Sequence, residues 1–182
     1  MIDIATPEQV LSFWRDAGPE RWFKKDTAFD EAIRSKFLST YEAASAGRLA
    51  DWEGRAESTL ALLIVLDQFP RNMFRNDARA FAADPLARAI SKRALERGFD
   101  QEVPAIERGF FYLPLMHSED IADQERCVAL YEALGDANGL DYAVIHADII
   151  RRFGRFPHRN GVLGRTTTAE EQRFLDDGGF AG

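Results

Sequence analysis

Residues 55–72 read RAESTLALLIVLDQFPRN. Within them, Leu60 to Leu66 is the longest fully apolar run of the chain, seven residues. Such a run alone fits a buried strand as well as a buried helix. The flanks settle the choice: RAES before it and DQ after it extend the segment to helical length, so 55–68 reads as a helix buried on most sides. Phe69-Pro70 is expected to end it, because proline lacks the backbone donor and crowds the preceding turn.

The neighbouring stretches carry helix signals too. Thr6-Pro7-Glu8-Gln9 is a capping box with proline at the first helical position, opening a helix to about Ala17 that Gly18-Pro19 ends. From Asp26, the residues Phe29, Ile33, Phe37, Tyr41 and Ala44 recur at helical spacing until Gly47. Asp84-Pro85 starts a helix ended by Gly98, and a short helix follows at 104–112, interrupted at Pro114. Ser118 is expected to cap a helix to about Leu134, before a turn cluster at Gly135 to Gly139. A helix over 140–153 ends at Gly154, and Pro157 confirms the stop. Thr168-Ala169-Glu170-Glu171 is a second capping box, opening a short last helix before Gly178-Gly179. No segment joins period-2 alternation to hairpin turn chemistry. The fold class is therefore all-α, with about eight helices. At 182 residues the chain has the ordinary size of one domain, spanning 1–182.

Composition narrows the setting. The chain is 46% hydrophobic and holds 14 Phe, which excludes a disordered or low-complexity protein. A single cysteine, Cys127, cannot form an internal disulfide; it fits a reducing compartment and reads as a buried, inert thiol. The seven-residue apolar run falls far short of the ~20 residues of a membrane span. The opening MIDIATPEQV has neither a basic nor an apolar leader region, so the expectation is a cytoplasmic protein.

Charge is unevenly spread. The net of −7 argues against nucleic-acid and anionic-membrane partners. Yet Ile149 to Ala169 holds Arg151, Arg152, Arg155, Arg159 and Arg165 with no acid, so that stretch is +5 and the remainder −12. Arginine outnumbers lysine 19 to 4, a ratio that base composition of a genome also produces.

Two segments echo each other: Phe69-Pro70-Arg71-Asn72 and Phe156-Pro157-His158-Arg159-Asn160. At a helix end, Arg and Asn donors satisfy exposed carbonyls, which is one reading of both; a ligand site is the other. In the helix 140–153, Tyr142, Ile145, Ile149 and Phe153 form an apolar face, with His146 and Ile150 inside its arc. His146 is then either a hydrogen-bonded core histidine or a pocket-lining acid, base or ligand.

The loop 156–168, FPHRNGVLGRTTT, sets His158, Arg159, Asn160 and Arg165 just before a helix N-terminus. Free N–H groups and the positive dipole end suit an anion there, although Glu170 and Glu171 already supply carboxylates to the first turn. Asp67 and Gln68 follow the most apolar run, and a carboxylate at the core edge needs a cation, of which Arg71 is nearest in sequence. His117-Ser118-Glu119-Asp120 is either a plain helix start or part of a site. Metal and cofactor motifs are absent: there are three histidines, no His-x-x-x-His, no paired Cys, no Walker A loop and no dinucleotide fingerprint.

The motifs LDQFPRNMFR (66–75), FYLPLMHSED (111–120), HADIIRRFGRFPHRN (146–160) and LGRTTTAEEQRFL (163–175) give the chain a resemblance along its whole length. It resembles the bacterial domain-of-unknown-function family 924, grouped as tetratricopeptide-like. The resemblance implies an array of α-helical hairpins with no established activity. It also marks Asp67, Gln68, Arg71, Asn72, His117, Glu119, His146, Arg152, Arg155, His158, Arg159, Asn160 and Arg165 as motif positions. Asn76-Asp77 stands where the family has a glycine-containing turn.

Three functions remain open on the residues. The first is a pocket for a small anion, phosphate or carboxylate, held by Arg155, Arg159 and Arg165 with His146 or His158 as acid or base. The second is a helical interaction module that offers a groove, using some of Trp14, Trp22 and Trp52, to an acidic peptide. In the third, the arginines only tie helix ends together.

Overall fold

The computed structural model describes residues 4–181. Among them there is no strand, and the chain is all-α. Ten α-helices follow in order: α1 (Pro7–Ala17), α2 (Pro19–Trp22), α3 (Thr27–Ser45), α4 (Ala56–Leu63), α5 (Phe69–Met73), α6 (Asp84–Glu96), α7 (Ala105–Met116), α8 (Ile121–Leu134), α9 (Ala137–Phe153) and α10 (Ala169–Asp176). All but α2 and α5 answer to a helix expected from the sequence. Packing groups the chain into two units, Met1–Pro114 and Leu115–Gly182.

In the first unit, both predicted features of α1 are present. Thr6 accepts from the Gln9 N–H, and the Gln9 side chain returns a bond to Thr6. The apolar run forms α4, whose residues from Ser58 to Leu63 are all buried, as a helix apolar all round must be. An aromatic cluster lies beside it: Trp14 stacks on Trp22 at 5.9 Å, and Phe69 meets Trp14 and Phe37 at 5.8 and 4.8 Å. Trp14 and Trp22, two of the three tryptophans expected to line an exposed groove, are buried and serve instead as core, while Trp52 is partly buried.

Phe69-Pro70 does not end the rod as expected. Residues Ile64–Gln68 form a π-turn in which the Phe69 N–H donates to the Ile64 carbonyl, five residues back. α5 then continues to Met73 with Pro70 in its first turn. Proline is tolerated there because a first-turn N–H has no ladder partner to lose. The rod stops at Phe74, and Asn76 takes a left-handed φ of 60°. Asparagine is among the few residues that accept this geometry.

α7 likewise runs past Pro114 to Met116 rather than breaking at it. In the second unit, the fully buried Gln124 amide donates to the carbonyls of Leu115, Met116 and Ser118, supplying the donors a helix end lacks. The N-cap of α8 is Asp120, not Ser118: Asp120 accepts from the Ala122 N–H, while Ser118 receives the Asp120 N–H and donates to Asp123.

α8 and α9 pack side by side, joined by Gly135 in the left-handed region at φ 74°. α9 starts three residues before the expected Leu140, because Asp136 caps it by accepting from the Gly139 N–H. Gly139 is required: a Cβ there would lie 2.3 Å from the Tyr131 ring. The buried face of α9 is Ala143, His146, Ala147, Ile149 and Ile150, whereas Tyr142 and Ile145 are exposed. The expected apolar face was thus rotated from the true one. Ile149, Ile150 and Phe156 form a small core onto which Phe153, Phe174 and Phe180 pack.

Candidate functional site

The second unit gathers most of the marked positions. After α9 ends at Gly154 (φ 69°), the chain makes a short 3-10 turn, Pro157–Arg159, then a loop leading to α10. Glu119, from the segment before α8, accepts the Phe156 N–H at 2.8 Å. Arg165 lays its guanidinium across the same carboxylate at 2.8 and 3.0 Å, and donates to the Phe156 carbonyl and to Asn160 Oδ1. These bonds hold Glu119 below the ordinary carboxylate range against its own desolvation, which pushes the other way.

A second carboxylate anchors the other side of the loop. Glu171 accepts from Arg155 at 2.6 and 2.9 Å, from Asn160 at 3.2 Å and from the Thr168 N–H at 2.7 Å. Its pKa falls to about 2, chiefly through Arg155. Thr168 and Glu171 complete the predicted capping box. At this helix start, which the sequence offered to an anion, the Thr168 N–H therefore has a carboxylate from within the chain, that of Glu171. Arg152 pairs with Glu170 on the surface, and Arg151 with Asp148. The acid-free stretch is acid-free in sequence alone.

A different set lies against Phe156. His146 on α9, His158 in the 3-10 turn and His117 before α8 are all of the chain's histidines, and they assemble in this unit. The His117 and His146 rings stand 6.4 Å apart. His146 and His158 both touch Phe156, at 5.5 and 5.6 Å, and both touch Phe180, at 4.6 and 5.5 Å. His146 Nδ1 donates to the Tyr142 carbonyl at 2.7 Å; a carbonyl only accepts, so the neutral ring carries its proton on Nδ1. Burial lowers the His146 pKa to about 3, with the charge on His117 adding to it. Burial and the Arg159 charge lower His158 to about 4. Among the described residues, the buried Nδ1 of His158 has no hydrogen-bond partner. Arg159 is 6% exposed, with its guanidinium over the Phe156 ring at 4.5 Å.

The remaining marked residues sit in the first unit, around the π-turn. Asp67 is 1% exposed and accepts from the Gln68 amide. Arg71 donates to the Asp67 carbonyl at 2.7 Å, faces its carboxylate at 3.3 Å, and forks onto Asp84 at 3.0 Å through both terminal nitrogens. Asn72 donates to Asp30, which also receives Arg75. The cation that the Asp67 carboxylate was expected to need is thus Arg71, shared with Asp84. Single π-turns inside helices occur frequently at functional sites.

Residues 10–179 match the model of a family described as bacterial protein of unknown function, DUF924. The chain belongs to this family. A solved structure, that of a protein of unknown function from Agrobacterium tumefaciens, superposes with a TM-score of 0.91 at 48% identity. The alignment covers 94% of this chain and 97% of that one. No curated protein matches the sequence. Among the described residues, no helix of this DUF924 chain is long and apolar enough to cross a membrane, and no group of three or more His, Cys, Asp or Glu is placed to hold a metal. The Cys127 thiol is buried and pushed up to about 12, which keeps it protonated and unreactive.

Three contributors escaped the sequence reading. Phe156 was seen as a helix stop rather than as the ring on which the histidines rest. Glu171 was seen as a cap and not as the partner of Arg155. Phe180 follows two glycines and has no periodic neighbour, so no pattern marks it.

Proposed function

We propose that the second unit binds a small anion, a phosphate or a carboxylate, at the histidine cluster beside Arg159. One observation carries this reading: His146 and His158 share one aromatic wall, with His117 next to His146, and the two on the wall are kept neutral by burial and by neighbouring positive charge. The positive charge that adds to this shift, that of Arg159 above all at His158, attracts an anion, and a bound anion in turn favours the protonated rings. His158 Nδ1, buried without a partner, then gains one. Arg155 and Arg165 act as ties that shape the loop through Glu171 and Glu119. His146 and His158 are placed to serve as acid or base if the bound molecule reacts. The expectation of one domain over 1–182 belongs to the same proposal, and a single calorimetric transition would support it, whereas two would contradict it.

The test is isothermal titration of inorganic phosphate and of acetate at pH 6 and pH 7.5. The reading requires saturable binding that tightens at the lower pH, because the rings take up protons on binding, and that weakens at least tenfold in His158→Gln. At about 100 times its dissociation constant, such a ligand adds roughly 2.7 kcal/mol of stability, a further readout in thermal melts. Heats that match dilution for both anions at both pH values overturn it.

A further inference from the structure

We propose that Gly178–Phe180 is a strap that occludes His146 and His158 in the unliganded protein, and that the anion displaces Phe180 to reach them; this rests on the anion-binding reading above. The segment leaves α10 through a tight reversal. Gly178 has a φ of 81°, a left-handed value that favours glycine, and its N–H donates to the Leu175 carbonyl. Gly179 donates to the Phe174 carbonyl, and a Cβ on it would come within 2.5 Å of that oxygen and 2.6 Å of the Phe174 ring. Two consecutive positions thus require glycine, and the reversal they allow sets the next side chain, Phe180, onto both imidazoles.

What holds the ring there is weak in kind. Among the described residues no hydrogen bond, backbone or side chain, involves Phe180; its contacts are the two imidazoles and the small core of Ile149, Ile150 and Phe156. Removing it from this place breaks ring contacts alone, while the α10 capping box and the ion pairs of Glu171 stay intact. The same ring excludes water from His146 and His158. A strap of this kind competes with a ligand rather than closing over it, because Phe180 stands directly against both imidazoles.

The experiment compares wild type, Phe180→Ala and Phe180→Leu. Histidine acylation by diethyl pyrocarbonate, read residue by residue by mass spectrometry, reports access without any ligand. Phosphate titration reports binding. The strap predicts at least tenfold faster modification of His146 and His158 in Phe180→Ala, a smaller gain in Phe180→Leu, and an unchanged rate at His117. It also predicts severalfold tighter phosphate binding by Phe180→Ala. Equal modification rates in wild type and Phe180→Ala overturn the strap whatever the titration shows. Faster modification with no phosphate binding to any variant overturns the anion-binding reading and leaves the occlusion standing. Faster modification with weaker phosphate binding makes Phe180 part of the bound state, and that overturns the competition proposed here.

Discussion

Arg165 and Glu119 lie 46 residues apart in sequence and meet in a two-bond ion pair at 2.8 and 3.0 Å. The carboxylate also receives the Phe156 N–H, and the guanidinium also donates to the Phe156 carbonyl. The pair therefore grips both polar groups of the one residue on which the histidines rest.

Breaking that grip from either side leaves a desolvated partner behind. Glu119→Ala and Arg165→Ala are each expected to cost about 1–3 kcal/mol, below the range of a fully buried pair because both side chains keep some water contact. The double variant should cost less than the sum of the two, since it orphans neither charge. Urea denaturation of the four proteins checks this. Single variants within 0.5 kcal/mol of wild type would mean that the pair is a surface contact.

Gly139 makes a sharper packing statement. Alanine inside an exposed helix position normally gains about 1 kcal/mol over glycine. Here the added methyl meets the buried Tyr131 ring, so Gly139→Ala should instead lose about 1–3 kcal/mol. Gly161→Ala, with open space around its Cβ and an ordinary φ, serves as the control and should stay near wild type. The two melting temperatures, measured side by side, decide the matter.

Acid should destabilise the protein in two separate windows. His146 and His158 have folded pKa values of about 3 and 4, below the unfolded value of about 6.5. Between those limits the unfolded chain binds more protons, so stability is fully present above pH 6.5 and falls as the pH drops toward 4. From pH 7 to pH 5 the loss is on the order of 2 kcal/mol for each histidine. Glu119 and Glu171 have depressed carboxylate values, so their contribution is present above about pH 4.5 and is lost below it. The double variant His146→Gln/His158→Gln should flatten the upper window and leave the lower one. Chemical denaturation at pH 7, 6, 5 and 4 distinguishes the two; an upper window unchanged by that variant would contradict the burial of the rings.

The helices were legible because their signals are local. Both capping boxes, the glycine stops and the apolar run lie within a few residues of what they control. What failed depended on distant partners or on an irregular turn. Pro70 read as a stop because the π-turn that admits it leaves no mark in the hydrophobic pattern. Pro114 read as a break because the amide that satisfies the end of its helix comes from Gln124. The face of α9 was misjudged because Tyr142 and Ile145 are apolar yet exposed, and His146 is polar yet buried.

The candidate site shows the same division. His117, His146, His158 and Arg159 were each picked out by residue type; the structure brings His146, His158 and Arg159 together around Phe156 and sets His117 beside His146. The loop arginines looked like ligand holders because no acid stands among them in sequence. Their acids, Glu119 and Glu171, enter from flanking segments, and spacing alone does not reveal that.

The central claim is that an anion reaches the histidine cluster and returns protons to it. The most direct measurement is a phosphate titration at pH 6.5 followed through the imidazole resonances of the three histidines by nuclear magnetic resonance. The account predicts that His146 and His158 move toward the imidazolium position as the site fills, and that His158→Gln abolishes the movement of His146. Three imidazoles that stay at their neutral positions up to saturating phosphate would contradict it.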